Sequence, residues 1–215
     1  TAPMPAVAPA PAPSPPLSLL LEHSAEALLA VRRGRSLNDV LAESAARTRP
    51  GVQALTFTAL RRLGAAEAAL SLLAPKAPAP RVAALLWVTL ALLWPDDTPA
   101  YADHTLVDQA VAAVRRRTPA AAAFVNAVLR RFVRERSDIV LALQRSPVAR
   151  WNHPAWWIER LQQDWPAQWQ AMLTAANRHP PMALRVNARR GTAARRRPRH
   201  RHPHRLADRR PRTAS

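Results

Sequence analysis

Arginine provides most of the side chains in this sequence that could bind a ligand through charge. Lys76 is its only lysine, so 31 of the 32 basic residues are arginine, against 14 acidic residues, and the formal charge is +18. A guanidinium group donates two parallel hydrogen bonds to a phosphate and can stack on an unpaired base. The excess of positive charge therefore favours a polyanionic partner, nucleic acid before membrane.

The candidate nucleic-acid-binding arginines occur in pairs or triplets at predicted helix ends or beside an apolar stripe. The alternative for each group is a solvated helix face that binds nothing. Arg115, Arg116 and Arg117 are instead predicted to be a charge cluster at a helix C-terminus, where cations interact favourably with the helix dipole. The predicted nucleic-acid-binding residues are Arg32, Arg33, Arg35, Arg61, Arg62, Arg130, Arg131 and Arg134.

Residues suited to catalysis, metal binding or cofactor binding do not form recognisable groups. The sequence has no cysteine, which excludes disulfides, zinc–thiolate sites and a cysteine nucleophile. Its four glycines are too far apart to form the glycine-rich turn of a nucleotide cofactor site. His200, His202 and His204 lack acidic or cysteine co-ligands. We predict no catalytic residue, no cofactor-binding residue and no metal ligand in this chain.

The two ends of the sequence differ in composition from its middle. Residues 1–16 alternate proline with alanine and predict a disordered leader. Residues 186–215 contain eleven arginines and one acidic residue, a net charge of +10, which leaves +8 for the other 185 residues. Because they contain almost no apolar side chains, residues 195–215 are predicted to be a disordered arginine-rich tail.

The middle of the chain, residues 17–145, reads as a succession of helices. Residues 82–94 are apolar except Thr89, and at 1.5 Å per residue they are too short to cross a bilayer, so they predict a buried central helix. Gly34 and Gly64 are predicted to end helices, and Pro50-Gly51 to form a turn. No glycine-bounded β pattern interrupts this region. The predicted fold class is therefore all-α, a bundle of about seven helices.

A tryptophan-rich segment follows at residues 146–180 and holds five of the seven tryptophans. Pro154 and Pro166 are placed to begin two short helices. The tryptophans could stack on bases, but their helical spacing beside Ile158 and Leu161 favours a packed core between domains. Residues 181–194 then predict one strand of a new domain.

Three stretches resemble the N-terminal part of the RsmB/Sun-type 16S ribosomal RNA cytosine-C5 methyltransferases. They are FVNAVLRRF (124–132), NHPAWWIERLQQDWP (152–166) and PMALRVN (181–187). The resemblance implies a NusB-like helical RNA-binding domain at residues 17–145, a helical linker at 146–180 and the first strand of an incomplete α/β methyltransferase region at 181–194. It also implies ribosomal RNA as partner, S-adenosylmethionine as cofactor of the full-length family, and a methyltransferase domain as intramolecular partner.

The sequence departs from the family pattern where the chemistry would begin. Enzymes of this class attack cytosine with one cysteine and release the product with a second, and this chain has neither. After about Ala194 the sequence changes to arginine, proline and histidine, which predicts a frameshift in the gene; the alternative is a genuine arginine-rich RNA-binding tail. We expect a cytoplasmic RNA-docking region that does not transfer methyl groups on its own.

A second function remains open from the sequence. The chain could be a stand-alone NusB-like RNA-binding module that acts in transcription regulation or antitermination. The segment WWIERL…DWP…LRVN favours the first function, because a stand-alone NusB-type domain has no need for it. Neither function predicts a membrane or metal partner.

Overall fold

Ten α-helices make up the regular structure of the described chain. The computed structural model describes residues 14–95 and 99–178, and these contain no strand, as the all-α prediction requires. A 3-10 turn, Pro119–Ala121, precedes the seventh helix. The helices are α1 (Leu17–Arg32), α2 (Leu37–Glu43), α3 (Arg49–Arg61), α4 (Leu63–Leu73), α5 (Pro80–Leu92), α6 (Asp103–Arg117), α7 (Ala122–Leu143), α8 (Pro147–Trp151), α9 (Ala155–Asp164) and α10 (Trp169–Asn177).

Helix α5 is the centre of the bundle, as its apolar sequence predicts. It contacts α1, α3, α4, α6 and α7, and Leu86, Val88 and Leu90 are fully buried. The hydroxyl of Thr89, the polar residue of this segment, donates to the Leu85 carbonyl one turn earlier at 2.8 Å, so its burial leaves no donor unpaired. Within the described residues, no helix combines the length and apolar character needed to cross a membrane.

One of the three predicted glycine positions is confirmed and two are wrong. Gly34 has φ +88°, and its N–H and that of Arg35 bond to Val31 and Ala30, which is the Schellman ending of a helix. The predicted turn at Pro50-Gly51 is instead the first turn of α3, where proline is tolerated because the first N–H groups need no helical partner. Gly64 does not end a helix either; it is the second residue of α4.

Helices α8, α9 and α10 surround a small second core. Ile158, Leu161 and Leu173 are buried there, with Trp151 and Trp169 packed against them. The two tryptophan rings meet edge to face at 5.2 Å between centroids. Helix α8 also packs against α4, so this small core is joined to the bundle through α8.

Several sequence predictions concern residues outside the described ranges. These are the strand at residues 181–194, the arginine-rich tail at 195–215 with its three histidines, and the leader at 1–16 except for its last three residues.

Candidate nucleic-acid interface

Arg32 is engaged in packing at the end of α1. Its guanidinium forms an ion pair with Glu67 on α4 and lies 4.8 Å from the centre of the Trp87 ring on α5. One side chain thereby joins three helices through a charge pair and a cation–π contact. A phosphate at Arg32 would compete with both contacts.

Arg61 and Arg62, at the junction of α3 and α4, also have intramolecular partners. Arg62 is half-buried and donates to the carbonyl of Ala91 at 3.2 Å, which satisfies a carbonyl in the last turn of α5. Arg61 lies 6.0 Å from the Phe57 ring centre, one turn earlier on α3. The pair therefore stabilises this junction, and Arg61 is the more available of the two.

Two of the three predicted arginines on α7, Arg131 and Arg134, share a carboxylate. Arg131 Nε lies 2.9 Å from Glu135 Oε2, and Arg134 Nη2 lies 2.8 Å from Glu135 Oε1. The hydrogen bond from Arg134, followed by that from Arg131, lowers the pKa of Glu135. Arg130 donates to Asn126 Oδ1 at 2.9 Å. Glu135 itself has non-helical backbone angles, φ −105° and ψ 16°, which kink α7.

Arg33 and Arg35 flank the Gly34 turn and differ in their surroundings. Arg35 forms an ion pair with Glu43 at the end of α2, and the hydrogen bond to that carboxylate raises the pKa of Arg35. The guanidinium of Arg33 is exposed and has no partner among the described residues. Arg33 is therefore the predicted arginine that is most available to a ligand.

Arg81 is a second available arginine, which the sequence analysis did not select. It is exposed in the first turn of α5, and no described residue pairs with its guanidinium. Arg81 lines the same surface hollow as Arg33 and Arg35, together with Glu26, Leu29 and Ala30 of α1. It was missed because it stands alone in the sequence, and its neighbours in space come from residues about 50 positions earlier.

The arginine triplet at the end of α6 holds a buried carboxylate. Arg117 Nε lies 2.6 Å from Glu22 Oε1, and Arg116 Nη2 lies 3.5 Å from Glu22 Oε2, while the Glu22 side chain is only 8% exposed. The hydrogen bond to Glu22 raises the pKa of Arg117. Two of the three arginines thus stabilise the contact between α1 and α6.

The tryptophans divide into a packed pair and an exposed group. Trp151 and Trp169 belong to the small core, whereas Trp156 and Trp165 are 66% and 51% exposed, and Trp157 is also exposed. The predicted tryptophan core therefore forms only in part within residues 146–178. In the parts of the chain that the structure covers, no three histidine, aspartate or glutamate side chains are grouped closely enough to hold a metal ion.

A family model described as "NusB family" matches residues 20–134, the stretch from α1 to the middle of α7. This chain belongs to the NusB family. The match covers the bundle around α5 and includes all eight predicted arginines. A second model, described as "Methyltr_RsmF/B-like, ferredoxin-like domain", matches residues 153–197, which begin just before α9 and continue beyond the described residues.

Curated relatives place the NusB bundle in longer proteins. The chain is 38% identical over 159 residues to "Ribosomal RNA small subunit methyltransferase B" of Pseudomonas putida, a match of 73% of this chain and 33% of the relative. Proteins of the same name from Pseudomonas syringae pv. tomato and Klebsiella pneumoniae subsp. pneumoniae are 38% and 34% identical, over 77% and 73% of this chain and 38% and 37% of their own lengths. The chain thus spans about a third of these relatives and is an RsmB/Sun-type N-terminal region.

Proposed function

We propose that this chain is the RNA-docking region of an S-adenosylmethionine-dependent methyltransferase that acts on small-subunit ribosomal RNA. The observation that carries the proposal is the order of the two family matches, a NusB bundle at residues 20–134 followed by an RsmF/B-type segment at 153–197. The relatives that share this region are named for methylation of small-subunit ribosomal RNA.

Charge and geometry support an RNA-binding role for the bundle. The first 185 residues carry a net charge of +8, and single-stranded RNA carries one negative charge per nucleotide. We assign RNA binding to the eight predicted arginines as a set, with Arg33 first because its guanidinium has no partner among the described residues. The other seven arginines have partners within the bundle. Those whose partners are exposed carboxylates can exchange them for an RNA phosphate at a small cost in free energy.

We assign the chemistry of methyl transfer to other parts of the longer protein. The chain holds no cysteine to attack the base, and its four glycines do not cluster into a cofactor-binding turn. In this proposal residues 17–145 dock RNA, 146–180 link, and 181–194 begin the methyltransferase region that would bind S-adenosylmethionine. The docking takes place in the cytoplasm, where ribosomal RNA is processed.

The experiment is a binding titration with the purified 215-residue chain. Fluorescence anisotropy would compare labelled fragments of protein-free small-subunit ribosomal RNA with a large-subunit fragment of equal length and base composition. We expect tighter binding to the small-subunit RNA, with an affinity that falls linearly on a log–log plot against salt by roughly 0.7 per phosphate contacted. Radiolabelled S-adenosylmethionine should give no methylated RNA with this chain alone.

Two outcomes would count against the proposal. Absence of salt-dependent binding to any RNA would remove the docking role. Equal or tighter binding to RNA that is not ribosomal would favour the alternative, a stand-alone NusB-like module in transcription regulation or antitermination, which the NusB match at residues 20–134 taken by itself also fits.

A further inference from the structure

Two hollows on the bundle surface join into one groove. The first lies along α1 and the start of α5, and is lined by Glu26, Leu29, Ala30, Arg33, Arg35 and Arg81. The second lies between α1, α5 and the end of α6 and is a small cleft with a cavity volume of about 40 Å³. Because Glu26, Leu29 and Arg81 line both hollows, they form a continuous depression, which we call the Arg33–Arg81 groove.

The groove combines unpaired positive charge with an apolar floor. Arg33 and Arg81 are exposed, and neither guanidinium has a partner among the described residues. The arginines at its two ends, Arg35 and Arg117, are already paired with Glu43 and Glu22. The second hollow is mostly apolar; Val82, Leu85 and Val114 lie buried at its base, and Leu29 is half-buried at its edge.

Carboxylates in the groove reduce its positive charge without cancelling it. Glu26 lines both hollows, and Glu22 lies in the second, where Arg117 and Arg116 neutralise it. Glu26 lines the first hollow together with Arg33, Arg35 and Arg81; Arg35 is balanced by Glu43, and Asp39 also acts on Arg35, so the excess charge is carried by Arg33 and Arg81. The first hollow therefore keeps a net positive charge.

We propose that the Arg33–Arg81 groove binds single-stranded RNA, with Arg33 and Arg81 each contacting a backbone phosphate and an unstacked base resting against Leu29, which lines both hollows. The inference rests on the proposed function and names the surface that performs it. Guanidinium groups without carboxylate partners bind phosphate without first breaking an ion pair. Leu29 beside them offers an apolar contact, and a guanidinium plane a stacking surface, to a splayed base, which a duplex would keep stacked.

The arginines of α7 are less available to a phosphate than those of the groove. Arg131 and Arg134 share the carboxylate of Glu135, so the two cations contribute about one net charge. A phosphate that contacts them must displace that carboxylate or approach it. Phe124 and Leu141 are the large apolar side chains exposed on α7.

The test compares three double variants of the 215-residue chain with the unaltered chain. Arg33→Gln/Arg81→Gln removes the groove cations; Arg131→Gln/Arg134→Gln removes the α7 pair. Arg145→Gln/Arg178→Gln removes the same charge from two exposed arginines elsewhere, which also lack partners among the described residues. Affinity for a fluorescein-labelled single-stranded 12-nucleotide RNA is measured at several salt concentrations, and circular dichroism melting verifies that each variant is folded.

The groove variant should bind the 12-nucleotide RNA about tenfold more weakly, and its log–log salt slope should fall by about 1.4, or 0.7 for each lost phosphate contact. The α7 variant should lose less, and the Arg145/Arg178 variant should change by no more than about twofold. An equal loss of affinity in all three variants, or a larger loss in the α7 variant, would contradict RNA binding in the groove. The proposed RNA binding by the chain as a whole would still stand. If the unaltered chain binds no RNA, the proposed function itself fails.

A fourth measurement tests the base position. A double-stranded 12-base-pair RNA should bind the unaltered chain more weakly than the single strand, because its stacked bases cannot enter the hollow. If the duplex binds more tightly than the single strand, and the groove variant loses that binding, the phosphate contacts of Arg33 and Arg81 stand and the proposed base contact is wrong.

Discussion

Asn152 Oδ1 accepts a hydrogen bond from the backbone N–H of Ala65 at 2.8 Å, across 87 residues of sequence. Ala65 is the third residue of α4, the position whose N–H an N-cap side chain normally satisfies. The residue before α4 is Arg62, which has no side-chain acceptor, so Asn152 at the end of α8 performs this capping. Asn152 can do so because it adopts a left-handed conformation, φ 56°.

Asn152→Ala should destabilise the joint between α4 and α8. The substitution removes the acceptor for Ala65 and places alanine in a conformation that asparagine tolerates better, so the free energy of unfolding should fall by about 1–2 kcal/mol. Asn152→Asp keeps the acceptor and should lose much less. Urea unfolding followed by circular dichroism measures the free energy of unfolding of both variants. Equal decreases in the two would show that the side-chain acceptor of Asn152 does not stabilise the joint.

Gly64→Ala should destabilise the same joint by a steric route. A Cβ at Gly64 would lie 2.6 Å from the carbonyl oxygen of Val148 and 3.2 Å from Cα of Asn152, both backbone atoms, so α8 must move away from α4. Overpacking of this kind costs about 1–3 kcal/mol. Gly51→Ala is the matched control, because the three atoms nearest its Cβ belong to the Leu20 side chain, which can change rotamer, rather than to backbone. A melting temperature lowered equally by both changes would contradict the backbone clash.

Removal of the Arg134 guanidinium should raise the pKa of Glu135. The hydrogen bonds from Arg134 and Arg131 lower this pKa, so the stabilisation they give is present above the ordinary pKa of glutamate and is lost as pH falls through the lowered value. In Arg134→Gln the carboxyl should titrate closer to the ordinary value of about 4.3. Carbon NMR of the side-chain carboxyl measures the shift, with Arg145→Gln as a control; an unchanged titration in Arg134→Gln would refute the pairing.

The two kinds of tryptophan should respond differently to substitution. Trp169→Ala removes the ring that packs against Trp151 and the buried Leu173, so it should cost about 3 kcal/mol or more of the small core's stability. Trp156→Ala, at a ring that is 66% exposed, should leave stability nearly unchanged and should improve solubility, because it removes exposed apolar surface. Thermal melts and light scattering of the two variants distinguish these effects.

The sequence predicts the bundle well because burial leaves a direct signature in it. Residues 82–94 hold almost no polar side chain, and α5 is the helix that the others surround. Gly34 was interpreted correctly because a positive φ at the end of a helix is the commonest reason for glycine there. Gly64 was not, because its hydrogen makes room for Val148, a neighbour 84 positions later that no local pattern reveals.

The availability of each arginine depends on partners that are distant in sequence. Arg32 and Arg33 are adjacent, but a helical residue points about 100° away from its neighbour. Arg32 therefore reaches Glu67 and Trp87, while Arg33 reaches no described partner. Charge clustering predicts which arginines lie on the surface, and it cannot separate those that hold the bundle together from those that remain unpaired.

Arg81 lies in the first turn of α5, the central helix of the bundle, which packs against five neighbouring helices. The backbone that carries this contact is already ordered before a ligand binds. On the protein's side, association would therefore restrict mainly the rotamers of two arginine side chains. That restriction amounts to about 1.5–2 kcal/mol of entropy per side chain. Association should therefore need no slow rearrangement of the protein and should proceed in one kinetic phase, at a rate that falls as ionic strength rises.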